Sequence, residues 1–145
     1  MEVGVGLPTT TPGADGRGVL EWARRAEAGP FASLGVLDRM VYRSVEPFTA
    51  LAAAAAVTTR VRLVTMVVIG SLRNTVLLAK QAASLDLLSA GRLILGLAIG
   101  ARADDYEVMG VDRGGRGRRL GEQLAELRSI WEKAEVGRAS CRERV

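Results

Sequence analysis

The chain alternates four times between a short apolar run and a longer segment in which apolar residues recur at helical spacing. The apolar runs cover residues 3–7, 33–37, 61–69 and 93–99. Runs that are short, rich in β-branched residues and bounded by glycine, proline or charge are typical of strands buried on both faces of a parallel sheet. Successive strand–helix units joined by right-handed crossovers therefore predict an α/β fold with parallel strands.

The helical segments between these runs have recognisable ends. Gly29 ends the first segment, and Pro47 suits the first turn of the second, which we expect to continue to about Thr59. Asn74 is a good N-cap for the third segment, and the fourth is expected from about residue 117 to 131. The third segment predicts one buried stripe, formed by Leu77, Leu78, Ala82, Leu85 and Leu88.

Two architectures accommodate four strand–helix units. One is a complete small doubly wound domain, and the other is the N-terminal half of a (β/α)8 barrel, which needs about 250 residues when complete. The chain has 145 residues. Neither a glycine-rich dinucleotide fingerprint after the first strand nor a P-loop lysine motif occurs. Spacing and composition leave both architectures open.

The composition excludes several kinds of chemistry. The chain has no histidine and a single cysteine, Cys141, so histidine acid–base catalysis is excluded and we expect no metal site. The net charge of +4 comes largely from arginines in residues 113–119 and in the tail. A basic loop and tail raise the charge without making a nucleic-acid interface, so we expect no nucleic-acid partner.

The sequence contains no pattern that predicts membrane association. The N-terminus lacks a secretory signal, and the apolar runs at residues 50–57 and 63–70 are too short to span a bilayer. We expect a cytoplasmic protein with no membrane contact.

Three motifs occur together in one order: Lys80-Gln81-Ala82, Ser89-Ala90-Gly91-Arg92 and Asp105-Tyr106-x-x-x-Gly110. With these motifs the chain resembles the bacterial luciferase-like monooxygenase family over nearly all of residues 2–131. The resemblance implies an oxidoreductase or monooxygenase that uses FMN or F420, built on a TIM barrel of which this chain is the N-terminal half. It also implies a small-molecule substrate and, for the full-length protein, a homo-oligomer.

Residues 137–145 look foreign to that family and match the translation of a common sequencing adapter. We therefore expect a partial barrel domain over residues 1–136 and a non-native tail over residues 137–145. Two alternatives remain at this point. One is an incomplete, non-catalytic βα fragment whose exposed strand edges favour association, and the other is a flavodoxin-like small-molecule-binding domain.

The resemblance also implies where the cofactor ring lies, namely over the carboxyl ends of the strands. Asp38 would approach the polar edge of the ring and the substrate. The family often follows this acid with histidine, whereas Arg39 stands here, so no catalytic residue is assigned. The alternative interpretation of Asp38 and Arg39 is an ordinary solvated turn or a local ion pair. The residues implied at the cofactor are Asp38, Thr65, Met66, Val67, Ala98, Ile99 and Gly100.

Two of these strand ends carry specific expectations. The resemblance implies a bulge with a non-prolyl cis peptide at or just after residues 65–67, and the alternative is a regular strand. Small residues at 98–100 would let a planar ring approach. Luciferase-type flavin enzymes commonly have arginine at the position of Ile99, and its replacement favours F420. The acidic segment 104–107 is expected to be an exposed loop in which Tyr106 packs rather than reacts.

Overall fold

The computed structural model describes residues 1–133, so the predicted tail at 137–145 lies outside the described residues. The strands and helices follow one another in strand–helix order. They are β1 (Gly4–Gly6), α1 (Gly16–Ala28), β2 (Ser33–Val36), α2 (Pro47–Ala55), β3 (Arg62–Thr65), β4 (Val68–Ile69), a 3₁₀ turn (Gly70–Leu72), α3 (Thr75–Leu88), β5 (Leu93–Ile94), β6 (Leu97–Ala98), α4 (Ala103–Met109) and α5 (Arg116–Glu132).

All the strand pairs are parallel, and their order follows the chain. One sheet has the order β1-β2-β3-β5, and β4 pairs with β6 in a short ladder that continues the last two strands. A flavodoxin-like domain requires a reversal of strand order, so that alternative is wrong. Four strand–helix units in uninterrupted order form the N-terminal half of a TIM barrel, as predicted.

Two of the predicted strands are each divided in two. The run 61–69 is interrupted by the peptide bond between Met66 and Val67, which is cis, so the expected non-prolyl cis peptide is present. The run 93–99 is interrupted at residues 95–96. The Thr65 side chain joins the two breaks, because its hydroxyl donates to the Gly96 carbonyl at 2.8 Å and accepts from the Gly96 amide at 2.7 Å.

The helices cover one face of the sheet. Leu34, Val36 and Leu63 of the strands pack in one core cluster with residues of α1, α2, α3 and α5. Alternate strand positions face the other way, toward the interior of the barrel. On that face, one row of residues is paired from strand to strand across β1, β2, β3 and β5: Gly6, Gly35, Val64 and Ile94.

The helix ends follow the predicted caps in part. The Asn74 side chain accepts from the Leu77 amide at 3.0 Å, which confirms this residue as the N-cap of α3. The expected continuation of α2 to Thr59 is wrong, because the helix ends at Ala55. There the Thr58 hydroxyl donates a hydrogen bond to the Ala54 carbonyl, and the Arg92 guanidinium donates one to the Ala55 carbonyl. Side chains therefore satisfy carbonyl groups at the end of the helix.

The predicted apolar stripe of α3 is wrong in two positions. Leu78, Ala82 and Leu85 are buried, whereas Leu77 and Leu88 are 58% and 70% exposed. Eleven residues make about three helical turns, so Leu77 and Leu88 share a face that lies about a quarter turn from the buried one. No helix within residues 1–133 is long and apolar enough to cross a membrane.

Candidate functional site

Four connecting segments meet at the carboxyl edge of the sheet. They are residues 37–46 after β2, the Met66–Val67 link between β3 and β4, residues 70–73 after β4, and residues 99–102 after β6. Because the carboxyl ends of parallel strands lie on the same edge, side chains from positions far apart in the sequence come together there.

Asp38 lies at this edge as a buried acceptor. Its carboxylate accepts two hydrogen bonds of 3.0 Å from Arg73 and one of 2.9 Å from the Ile69 amide. Its side chain is 1% exposed, and Arg73 also pairs with Glu46 at 3.1 Å. The interpretation of Asp38 as part of a solvated turn is therefore wrong. In this structure the carboxylate points into the protein and holds the β2 and β4 ends together.

The residue after it, Arg39, pairs with α4. Arg39 Nε donates to Asp105 Oδ2 at 2.8 Å, and Asp105 Oδ1 accepts from the amides of Met40 at 2.9 Å and Val41 at 3.4 Å. Asp105 is buried. Its neighbour Asp104 is at the surface, where a hydrogen bond from Arg102 holds the pKa of that carboxyl below its usual value.

The acidic segment is therefore not the exposed loop that we expected. It forms α4, in which Asp105 and Tyr106 are buried. The helix was missed because its seven residues carry too little periodicity to be recognised. A local signal does exist, since two carboxylates lie in its first turn and Gly110 ends it with φ 62°.

Tyr106 packs, as expected, in a second cluster with Ile69 and Leu72. Its hydroxyl contacts the Ser71 hydroxyl and the Ile99 carbonyl, and Ser71 Oγ also donates to that carbonyl at 3.0 Å. Two hydroxyl groups thus converge on one carbonyl at the end of β6. They fix the backbone of Ile99 while leaving its side chain 39% exposed.

Three of the residues expected at the cofactor are apolar and exposed at this edge, and we call them the strand-end platform: Met66, Val67 and Ile99. Met66 lies over Gly35, where an added Cβ would be 2.1 Å from Met66 Sδ, and Val67 lies beside Gly96, where an added Cβ would be 3.1 Å from Val67 Cγ1 and 2.4 Å from the Thr65 carbonyl oxygen. Two of the three platform side chains therefore pack against glycines, one in β2 and one in the segment between β5 and β6. At Gly96 the neighbour is a backbone atom, so this close approach requires a residue without a side chain.

The other four expected residues occupy different positions. Thr65 is buried, with its hydroxyl engaged by Gly96, and Asp38 is engaged by Arg73. Ala98 and Gly100 are partly buried beside the platform, and Gly100 has φ 71°. Within residues 1–133 no group of three or more histidine, cysteine or carboxylate side chains could hold a metal ion.

A half-barrel of parallel strands with an exposed apolar platform at its carboxyl edge belongs to the (β/α)8-barrel class, whose members bind ligands at this end. Residues 1–144 match the sequence profile of the luciferase-like monooxygenases. The chain belongs to this family.

Two curated relatives illustrate the range of the family. An uncharacterised protein of Mycobacterium tuberculosis is 38% identical over 99 residues, which cover 68% of this chain and 35% of the relative. The oxygenase component of a flavin-dependent trigonelline monooxygenase of Acinetobacter baylyi is 38% identical over 87 residues, covering 59% of this chain and 24% of the relative. The chain thus spans well under half the length of these relatives.

Solved structures share the fold. Monooxygenase RslO1 of Streptomyces bottropensis superposes with a TM-score of 0.79 at 28% identity, over 90% of this chain and 43% of its own. The oxygenating constituent of 3,6-diketocamphane monooxygenase of Pseudomonas putida, in complex with FMN, gives 0.79 at 23%, over 90% and 39%. An F420-dependent secondary alcohol dehydrogenase gives 0.76 at 23%, over 91% and 43%.

Proposed function

We propose that this chain forms part of the active site of a flavin- or F420-dependent oxidoreductase that acts on a small-molecule substrate. The observation that carries the proposal is the strand-end platform, which lies at the edge where barrel enzymes bind ligands. Membership of the family supports the reaction class. Because the chain spans less than half of its relatives, the activity is proposed for a protein of their length.

The residues at the platform fit the planar ring of such a cofactor. Met66, Val67 and Ile99 are apolar and partly exposed, and the first two pack against Gly35 and Gly96. In the proposed site these three side chains support the ring and exclude water, while Thr65 and Asp38 hold the strand ends in place. The cofactor itself supplies hydride transfer or oxygen activation when bound.

Between the two cofactors, the residues favour F420. Ile99 brings no positive charge to the platform, and its carbonyl is engaged by Ser71 and Tyr106. An arginine at this position would contribute a charged contact to FMN. We therefore infer that F420 binds more tightly than FMN, with FMN as the alternative.

A titration tests the proposal. A protein of the relatives' length that contains this chain is titrated with F420 and with FMN, and the fluorescence of each ring is followed. Ile99→Glu and Val67→Glu place a carboxylate on the platform and should weaken ring binding at least tenfold. Val108→Glu makes the same change at an exposed position of α4 and serves as the control. If neither cofactor binds, or if all three variants behave alike, the proposal is wrong.

We also propose that the full-length protein is a homo-oligomer, and α3 supports this. Its outer face carries four exposed apolar side chains of 49–74% exposure, whereas α1 and α5 expose mainly charged side chains, with Trp22 of α1 as an exception. These four are Val76, Leu77, Leu87 and Leu88. An apolar face of this kind is typical of subunit interfaces. Light scattering should show a dimer or larger assembly, and Leu87→Lys with Leu88→Lys should dissociate it. A monomeric unmodified protein would contradict the proposal.

The cytoplasmic location stays a prediction.

A further inference from the structure

The three platform residues are held in place in two different ways. Met66 is bonded through its amide to β2, and the residue after Val67 is bonded through its amide to the segment between β5 and β6. Ile99 follows the two-residue strand β6 and makes no backbone–backbone hydrogen bond within residues 1–133. Neighbouring strands therefore hold Met66 and Val67, whereas the position of Ile99 depends on side chains of other segments.

Two hydroxyl groups hold Ile99. Ser71 Oγ donates to the Ile99 carbonyl at 3.0 Å, and the Tyr106 hydroxyl donates to the same oxygen. A carbonyl oxygen has two lone pairs and can accept both bonds. We call Ser71 and Tyr106 the hydroxyl pair. One member lies in the turn after β4 and the other in α4, so two separate segments fix the end of β6.

The side chains of the hydroxyl pair are themselves fixed. Ser71 is 3% exposed and Tyr106 is 2% exposed, and Tyr106 packs in the second apolar cluster. The turn that carries Ser71 is bonded to α5, because Gln123 Nε2 donates to the Arg73 carbonyl at 3.1 Å. Donors whose rotamers are locked by packing hold their acceptor in one position, as the support behind a binding surface must do.

These contacts do not depend on what covers the platform. The donors, the acceptor and the helix that holds the turn all lie within residues 1–133, and both hydroxyl side chains are buried. The rest of a protein of the relatives' length is therefore not needed to form them.

We propose that Ser71 and Tyr106 are positioning residues for the cofactor, because they hold the Ile99 carbonyl and so set where the Ile99 side chain meets the ring. The inference rests on the proposed function, since it concerns the same site. It adds two residues that act through Ile99 and do not themselves touch the ring. Without the two hydroxyls Ile99 is free to move, and ring binding then has to order it.

The first measurement needs no cofactor. In a protein of the relatives' length that contains this chain, the methyl order parameter of labelled isoleucine reports the motion of Ile99 on the ps–ns timescale. The double variant Ser71→Ala with Tyr106→Phe should lower the order parameter of Ile99 and leave that of Ile130, in α5, unchanged. An unchanged order parameter at Ile99 in the folded double variant would overturn the proposal.

The second measurement follows the cofactor. The double variant should raise the dissociation constants of F420 and FMN at least fivefold and shift the absorption maximum of the bound ring, with the single variants in between. If the double variant does not fold, the two single variants give the same comparison.

Thr58→Val is the matched control for loss of a buried hydroxyl. The Thr58 hydroxyl donates to the Ala54 carbonyl at the end of α2 that precedes β3, away from the platform. This variant should change neither the order parameter of Ile99 nor the cofactor affinity. An equal loss of affinity in Thr58→Val would mean that general destabilisation weakens binding, and the positioning role would be wrong.

The two measurements also separate this proposal from the proposed function. If neither cofactor binds the unmodified protein, the proposed function fails, while an order parameter that depends on the hydroxyl pair still shows that the pair positions Ile99. If a cofactor binds equally well with and without the pair, the proposed function stands and the positioning role is overturned.

Discussion

Arg39 and Asp105 lie 66 residues apart in the chain, yet their side chains meet at 2.8 Å in a pair that joins the end of β2 to α4. The carboxylate also accepts hydrogen bonds from two backbone amides of the β2 loop. One buried side chain thus determines the course of a segment that borders the candidate site.

Arg39→Leu should lower the free energy of unfolding by about 3 kcal/mol, because it leaves the Asp105 carboxylate buried without its cation. Urea denaturation measures this change. Arg25→Leu removes a surface pair with Glu21 and should have little effect. Equal losses of unfolding free energy in the two variants would mean that the burial of Asp105 does not determine the cost of removing its cation.

Ser71→Ala and Tyr106→Phe should each reduce stability by about 1–2 kcal/mol, because each removes a buried hydroxyl from the Ile99 carbonyl. The hydroxyls also contact each other, so the double variant should lose less than the sum of the two. Thermal or urea unfolding of the four proteins gives this coupling. Tyr42→Phe, at an exposed ring, is the control, and strict additivity would contradict the prediction.

Arg92→Met should cost about 2–3 kcal/mol, since the guanidinium satisfies carbonyl groups at the end of α2 and before β3 that would otherwise lack donors. Arg128→Met changes an exposed arginine of α5 and should fall within about 0.5 kcal/mol of the unmodified chain. Comparison of the free energies of unfolding of the two variants tests this prediction. The groups that Arg92 contacts at 2.7–3.3 Å are the carbonyls of Ala55, Thr58, Val61 and Ser89 and the hydroxyl of Thr58.

Glu27 should make stability depend on pH. Burial raises its pKa, but hydrogen bonds from the amides of Val61, Thr59 and Arg60 and from the Thr59 hydroxyl together lower it from 4.5 to about 2. Because the folded pKa is depressed, the stabilisation is complete above pH 4.5 and is lost as the pH falls toward 2.

Glu27→Gln should therefore be less stable than the unmodified chain at pH 7, by about 1–2 kcal/mol once solvent screening is discounted. The gap should narrow below pH 4.5. Urea denaturation at pH 7, 4 and 2.5 follows it, with Glu126→Gln on the surface of α5 as the control. A gap that stays constant with pH contradicts the assignment.

Gly96→Ala should destabilise the chain by about 1–3 kcal/mol, because the added Cβ would lie 2.4 Å from the Thr65 carbonyl oxygen, a backbone atom that cannot turn away. Gly6→Ala adds a methyl group to open space and is the matched control. Thermal unfolding midpoints compare the two. A larger loss at Gly6 would show that the close approach of the strand ends is not what selects glycine at 96.

Local signals predicted the elements whose determinants lie within a few residues. Asn74 accepts from an amide three residues away, so its capping role is readable from the sequence. The cis peptide after Met66 was expected only through the family resemblance, since nothing in the apolar run 61–69 distinguishes a break from a regular strand. The exposed face of α3 was missed because leucine lies on both its buried and its outer side.

The sequence by itself determined the alternation of strands and helices, the parallel sheet and the family, because hydrophobic periodicity and sequence motifs can be recognised within short stretches of the chain. Only the tertiary structure decided that Asp38 binds Arg73, that Asp105 binds Arg39 and that Met66 lies over Gly35. These contacts join residues 31 to 66 positions apart and depend on strand register, which fixes which loops meet at the carboxyl edge. The elements of the site are therefore encoded locally, and its chemistry is assembled by the fold.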